Sequence, residues 1–258
     1  MKTRILTSIL IILVVLFPVA YGGWWLEALG VALVCCGTYE WLHALPNYSK
    51  WGIGVQIFVT AFLLGLPWIW IQFPNLVFAY IALAVVVIWS LPIFFDGFKE
   101  QDCFAVLSFM LIIGLCFMCM QILIFEEHRY LWTLCFATYG SDTGAYFSGR
   151  FFGKHKMIER ISPKKTWEGF FGGWLIGFLL SWGLSFLYGA GLNPTLNLLI
   201  CILAPVFAEL GDLCFSTFKR TYQIKDFSQL LPGHGGILDR VDSLLMNFLL
   251  FGILYSIL

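Results

Sequence analysis

Nine apolar runs, most of them close to twenty residues long, follow one another along this chain with almost nothing polar between them. That is the length a helix needs to cross the roughly 30 Å hydrocarbon core of a bilayer. The runs are about Ile5–Ala20, Trp24–Leu42, Trp51–Gln72, Leu76–Phe95, Phe104–Phe125, Leu131–Ser148, Gly169–Leu187, Leu196–Phe218 and Ile237–Leu258. Composition agrees: 60% of residues are hydrophobic and 12% charged, too few polar groups for the shell of a soluble domain, where about 25% are charged. Fifteen Lys and Arg balance fifteen Asp and Glu, which excludes the strongly basic face of a nucleic-acid binder. The expected fold is all-α, a polytopic integral membrane protein of about nine transmembrane helices. It forms a single membrane domain over residues 1–258, with no soluble appendage. The eight cysteines lie mostly inside apolar runs and read as small buried residues, not as disulfides or a zinc site.

Charge sets the orientation. With the N-terminus in the cytosol and the runs alternating, thirteen of the fifteen cations fall in cytosolic segments. These are Lys2, Arg4, Lys50, Lys99, the six of residues 150–165, Lys219, Arg220 and Lys225. The opposite loops hold only Arg129, and Arg240 lies inside the last run. The positive-inside rule therefore puts the N-terminus in the cytosol. Lys2 and Arg4 before a run ending in Pro18-Val19-Ala20 also resemble a signal peptide, but an uncleaved first span fits the charge separation better.

The chain divides by chemistry. Residues 1–130 are hydrophobic N-terminal helices, and nearly all unusual polar residues follow within 131–258. Charges are costly in a bilayer and face a protein interior or a watery cavity. In the eighth run Glu209, Asp212 and Ser216 are spaced i, i+3, i+7 and share one helical face. Asp212 falls roughly 9 Å, and Glu209 roughly 14 Å, below the cytosolic end at Phe218. In the ninth run Asp239 and Asp242 repeat the i, i+3 spacing at similar depth, and the short connecting loop makes the two acidic faces neighbours. Converging carboxylates need a counter-charge, either Arg/Lys or a hard cation such as Mg²⁺. A structural ion pair, for example Asp212 with Arg240, and the proton or sodium relay of a transporter are the alternative readings. The acids lie near one membrane face, away from the midplane that transporters use.

The loops favour phosphate. Arg150, Lys154, Lys156, Arg160, Lys164 and Lys165 crowd one cytosolic segment, for attraction to anionic headgroups or to hold a polyphosphate. Gly149-x-x-x-Gly153-Lys154 is one residue short of a P-loop and lacks its Ser/Thr. Ser162-Pro163 suggests the start of the seventh helix, with free amides for an anion. Pro232, Gly233, Gly235 and Gly236 form a tight turn leading into the helix of Asp239, a place for a nucleotide's phosphates. His234 there is a phosphate donor or a turn residue.

At these residues the sequence resembles the phosphatidate cytidylyltransferase (CDP-diacylglycerol synthase) family. The match runs Ser216-x-x-Lys219-Arg220, then Lys225-Asp226-x-Ser228, Leu231-Pro232-x-His234-Gly235-Gly236 and Asp239-Arg240-x-Asp242, with fixed spacing. A second block, Ser141-Asp142-Thr143-Gly144-Ala145-Tyr146-Phe147 with Ser162-Pro-Lys-Lys-Thr-x-Glu-Gly169, is also similar to that family. The resemblance covers about Tyr139 to Ser243, so Glu27 and Glu40 receive no role. It implies transfer of CMP from CTP to phosphatidic acid, giving CDP-diacylglycerol and pyrophosphate for phospholipid biosynthesis. It further implies a Mg²⁺ requirement with a potassium ion assisting, and a homodimer in the inner (cell) membrane with its site open to the cytosol.

Carried onto this chain, the family's metal aspartates map to Asp212 and Asp239, with Asp242 and Glu209 supporting. Lys219, Arg220, Lys225 and Arg240 are expected to neutralise phosphates. Lys164, Lys165 and Thr166 would contact CTP or the phosphatidate headgroup, with Ser162, Ser216, His234, Gly235 and Gly236 also at the substrate. Asp142, one turn from Tyr146, would line the cavity.

Overall fold

The computed structural model describes residues 13–258. Lys2, Arg4 and the beginning of the first apolar run lie outside the described residues. Helical residues 13–21 (α1) precede α2 (Gly23–His43), α3 (Ile53–Gln72), α4 (Val77–Phe94), α5 (Glu100–Phe125) and α6 (His128–Phe152). Then come strands β1 (Lys156–Ile158) and β2 (Ser162–Thr166), followed by α7 (Trp167–Tyr188), α8 (Pro194–Thr221) and α9 (Leu238–Ile257). Over the described residues each apolar run thus coincides with a helix. Six helices among the described residues are long and apolar enough to cross a membrane: α3, α4 with its leading turn from Pro74, α5, α7, α8 and α9. The α2 and α6 sequences are interrupted by Glu27 and Glu40, and by Ser141-Asp142-Thr143-Gly144 and Arg150 respectively. The all-helical expectation holds apart from one small hairpin.

That hairpin corrects the expected helix start at Ser162. Ser162 pairs with Ile158, and Thr166 with Lys156, in an antiparallel ladder. A residue before proline is pushed toward extended backbone, so Ser162-Pro163 extends a strand and α7 begins five residues later. Its N-cap is Thr166, whose Oγ1 accepts from the Gly169 amide at 3.1 Å, a common way to satisfy a first-turn donor.

The described chain gathers into two compact units. The first comprises residues up to Gln121 together with Ile224–Asp239. In it α2 packs against α3, and α3 against α4. Trp41 of α2 stacks on Phe109 and Phe227 and donates its indole N–H to the Ala105 carbonyl at 3.0 Å.

The second unit comprises Ile122–Gln223 and Arg240–Leu258. Here α6, α7 and α8 pack against one another. The α6–α7 contact is made by small residues. On α7, Gly169, Gly173, Gly177, Ser181 and Ser185 repeat every four residues and are buried, the small-xxx-small pattern that lets helix backbones close up where lipid offers no hydrophobic drive. A Cβ at Gly173 would lie 2.8 Å from the Ser141 carbonyl and 3.1 Å from the Ala145 amide, and one at Gly177 2.7 Å from the Ala137 carbonyl. Buried polar groups are paired between helices: Thr133 donates to Asn197 at 3.0 Å, and Asn247 to Thr138 at 2.7 Å.

Since the obstacle at Gly173 is α6 backbone, Gly173→Ala is expected to lower stability by about 1–3 kcal/mol. At Gly183, on the same helix, an added Cβ would meet nothing within 4 Å. Gly183→Ala should therefore be neutral or stabilising by up to about 1 kcal/mol. Thermal unfolding of both variants in detergent checks the contrast, and an unchanged Tm for Gly173→Ala would contradict the close-packed contact.

Candidate active site

The second unit holds a cavity of about 490 Å³ between α6, β2, the start of α7 and α8. Asp142 and Arg150 of α6, Lys164, Lys165 and Thr166 of β2, and Glu209 and Asp212 of α8 line it. The i, i+3 face of α8 expected from spacing is real, because one ammonium touches both acids. Lys165 Nζ lies 2.7 Å from Glu209 Oε1 and 2.5 Å from Asp212 Oδ2. The counter-charge to Asp212 is therefore Lys165, and the lysine expected on substrate is bound to the carboxylates. Burial alone would lower the Lys165 pKa, but Asp212 and Glu209 outweigh it and raise it, so the cation is fixed at neutral pH.

Asp242 belongs to the same electrostatic group. Its charge interacts with those of Asp212, Asp142 and Lys219, and Asp142 in turn interacts with Asp212, Glu209 and Lys165. Packing explains the proximity: a Cβ on Gly211 would meet the Asp242 carbonyl at 2.6 Å, so α8 and α9 touch backbone to backbone beside Asp212. Lys219 is buried and Asp242 is 6% exposed.

Four other expected residues of this unit, Arg220, Ser162, Ser216 and Arg240, are not among those lining this cavity. Arg220 is exposed and its Nε donates to the Ile161 carbonyl at 3.2 Å, tying the hairpin turn to the end of α8. Ser162 lies in the ladder. Ser216 is half-buried on α8 and Arg240 is exposed at the start of α9. Glu168, part of the Ser162–Gly169 block, received no role from the sequence. Its carboxylate accepts from the Lys154 and His155 amides at 3.1 and 3.2 Å and pairs with His155 Nδ1 at 2.6 Å, which clasps the loop after α6 against the start of α7. The Lys-Lys-Thr-Trp-Glu spacing held the signal: an acid in the first turn of a helix.

Lys225, His234, Gly235, Gly236 and Asp239 belong to the first unit. Lys225 is exposed there and His234 half-buried. The glycine-rich turn is closed by a bond from the Leu231 amide to the Gly235 carbonyl at 3.0 Å. Gly235, at φ 86°, needs glycine. Three successive amides where this turn enters α9 already meet carboxylates. Asp239 Oδ2 accepts from the Gly236 and Phe227 amides at 3.0 and 2.9 Å. Glu40 of α2 accepts from the Ile237 and Leu238 amides at 2.7 and 2.8 Å and from Ser228 Oγ at 2.6 Å. The physical reason is that a helix N-terminus attracts any anion, and the fold supplies its own.

Removing the ammonium should leave Glu209 and Asp212 facing each other uncompensated. Breaking a fully buried pair costs roughly 3–5 kcal/mol. The Asp212 side chain is 35% exposed, so Lys165→Met is expected to cost less, about 1–3 kcal/mol. Adding Glu209→Gln should recover part of it. Thermal melts of the single and double variants measure the coupling, and strictly additive losses would refute it.

The cytidylyltransferase family model matches residues 2–258. The phosphatidate cytidylyltransferase of Staphylococcus epidermidis (strain ATCC 35984) is 34% identical over 260 residues, covering 98% of both chains. That of Bacillus subtilis (strain 168) is 34% identical over 260 residues and 97% of both, and that of Staphylococcus aureus (strain COL) 31% identical over 262 residues and 98% of both. With residues 2–258 matched and relatives about a third identical over nearly the full length, the chain belongs to the cytidylyltransferase family.

Proposed function

We propose that this protein transfers CMP from CTP to phosphatidic acid, forming CDP-diacylglycerol and pyrophosphate. The observation that carries the reading is the cavity of the second unit, where the acids Asp142, Glu209 and Asp212 meet the cations Arg150, Lys164 and Lys165 on a body of apolar helices. The full-length relatives named phosphatidate cytidylyltransferase support it. In the reaction a phosphate oxygen of phosphatidic acid attacks the α-phosphorus of CTP. A new P–O bond forms, the bond to the β-phosphate bridging oxygen breaks, and pyrophosphate leaves with the electron pair. The nucleophile is already ionised at neutral pH, so no Ser, Cys or His needs activating. What the protein must supply is alignment of two polyanions and stabilisation of charge on equatorial and leaving oxygens.

Among the described residues, Arg150 and Lys164 line the cavity without a carboxylate partner of the kind Lys165 has, and would draw in the triphosphate. Lys165 relieves the repulsion between Glu209 and Asp212. Asp142, Asp212, Asp242 and Glu209 offer the oxygen donors that suit a hard cation. Among the described residues no three acidic, histidine or cysteine side chains form a closed ligand set. Mg²⁺ commonly takes only one or two protein carboxylates and completes its shell with water and phosphate oxygens. Bound by these residues, Mg²⁺ would supply charge neutralisation at the phosphates. Asp239, the second metal aspartate of the resemblance, lies in the first unit, where its Oδ2 accepts from two amides.

In this reading α1, α2 and α6 cross the membrane with the other six helices. The N-terminus and the cation-rich segments 149–168 and 219–236 face the cytosol, where CTP is found, in the inner membrane. The lipid acceptor enters from the bilayer with its headgroup at the interface. A homodimer, and a potassium ion beside Mg²⁺, belong to the same proposal.

Purified protein, radiolabelled CTP, Mg²⁺ and phosphatidic acid should move label into the organic phase only when all are present, and EDTA should stop it. Asp212→Asn should lower the rate at least about a hundredfold with the melting profile retained. Near-normal transfer by that variant, or label moving equally well onto a polyprenyl phosphate, would overturn the proposal.

A further inference from the structure

Glu40 is the most completely buried carboxylate in the first unit, at 0% exposure, in the last turns of an apolar helix. An ionised group in such a place is stable only if hydrogen bonds replace its water. Three donors do so, and all come from one distant stretch: Ser228 Oγ, the Ile237 amide and the Leu238 amide. Both carboxylate oxygens are used. The stretch is shaped to receive them. A Cβ on Gly236 would stand 2.7 Å from each Glu40 oxygen, so only glycine admits the carboxylate this close. One turn further back, Gly37 lies where a Cβ would meet Leu238 Cδ2 at 3.2 Å, so α2 presents a flat face to the start of α9.

Asp239 completes the arrangement from within the segment, by its bonds to the Phe227 and Gly236 amides. Three consecutive amides, at 236, 237 and 238, are thus divided between two carboxylates. The ends of the segment 227–238 are pinned, and the turn carrying His234 is held between them. A negative charge at a helix N-terminus is also favoured by the helix dipole, so the same carboxylate holds Leu238, the first residue of α9, and the turn before it.

We propose that Glu40 is a positioning residue for the reaction: its buried carboxylate fixes the backbone of residues 227–238 so that the Lys225–Asp239 motif has one conformation when substrate arrives. The catalytic half of this proposal rests on the cytidylyl-transfer reading. The clamp itself does not.

Glu40→Gln separates positioning from bulk stability. It removes a costly buried charge while keeping shape, but turns an N–H₂ group toward donors that need an acceptor. The full-length protein in detergent would be compared by peptide-resolved hydrogen exchange, thermal melting and CMP transfer. In Glu40→Gln the amides of 236–238 should exchange at least tenfold faster, with exchange elsewhere unchanged. The value of kcat should fall tenfold or more, while KM for phosphatidic acid moves less than threefold. Ser228→Ala, which deletes one of the three donors, should show the same pattern more weakly, and it decides the matter if Glu40→Gln does not fold. Wild-type exchange at 236–238 and wild-type kcat in both variants would overturn the proposal. A loss of activity accompanied by a uniform rise in exchange and a lower Tm would overturn it too, in favour of general stability. Should the wild-type protein transfer no CMP, the functional reading fails, and the exchange measurements alone then decide the clamp.

Discussion

An ionised carboxylate inside a body this apolar persists only where the fold neutralises it, and that requirement organises both units. In the second unit Glu209 and Asp212 share the Lys165 ammonium at 2.7 and 2.5 Å. In the first, Glu40 is held by one hydroxyl and two amides. The two solutions differ in what they leave behind. A carboxylate satisfied by backbone amides is locked in place, since its donors belong to a helix end. A carboxylate satisfied by a lysine on a flexible stem keeps a partner that can move. The first is suited to holding structure and the second to a site where charged substrates come and go.

Carrying Lys165 and Asp142 to the same cavity depends on how closely α6 and α7 approach. The glycine ladder at 169, 173 and 177 brings α7 against the α6 backbone. That leaves Asp142 and Tyr146 turned to the cavity. The hairpin between the two helices then needs only a short reach to project Lys165 over α8. Larger residues in the ladder would push the helices apart and lift the strand from the acids. The glycines are therefore as much a part of the site as the charges.

Helix positions were legible because apolar runs of this length have a single meaning, and the ends of α8 and α9 fell within three residues of the expected ones. The shared face of Glu209 and Asp212 was legible too, because i, i+3 spacing is a property of the helix alone. What lay outside sequence reasoning was pairing between distant segments. Nothing local tells Lys165 that its partners are more than forty residues away, and Asp212 looked equally ready for Arg240. Ser162-Pro163 misled for a different reason: proline suits the first turn of a helix, but the residue before it prefers extended backbone. With Thr166 available as a cap, the helix starts later.

Glu40 shows the same limit from the other side. By sequence it was an unexplained charge in a stretch with no motif, while the Gly-rich turn looked like an empty phosphate cradle. Each was half of one object. Gly236 is a glycine because a carboxylate approaches it, and the carboxylate is tolerated because the Ile237 and Leu238 amides meet it. An anion site and an internally capped helix start have identical local signatures, namely small residues and free N–H groups. Only the tertiary partner distinguishes them. Here the buried acid on α2 takes the Ile237 and Leu238 amides, and the start of α9 is capped from within the fold.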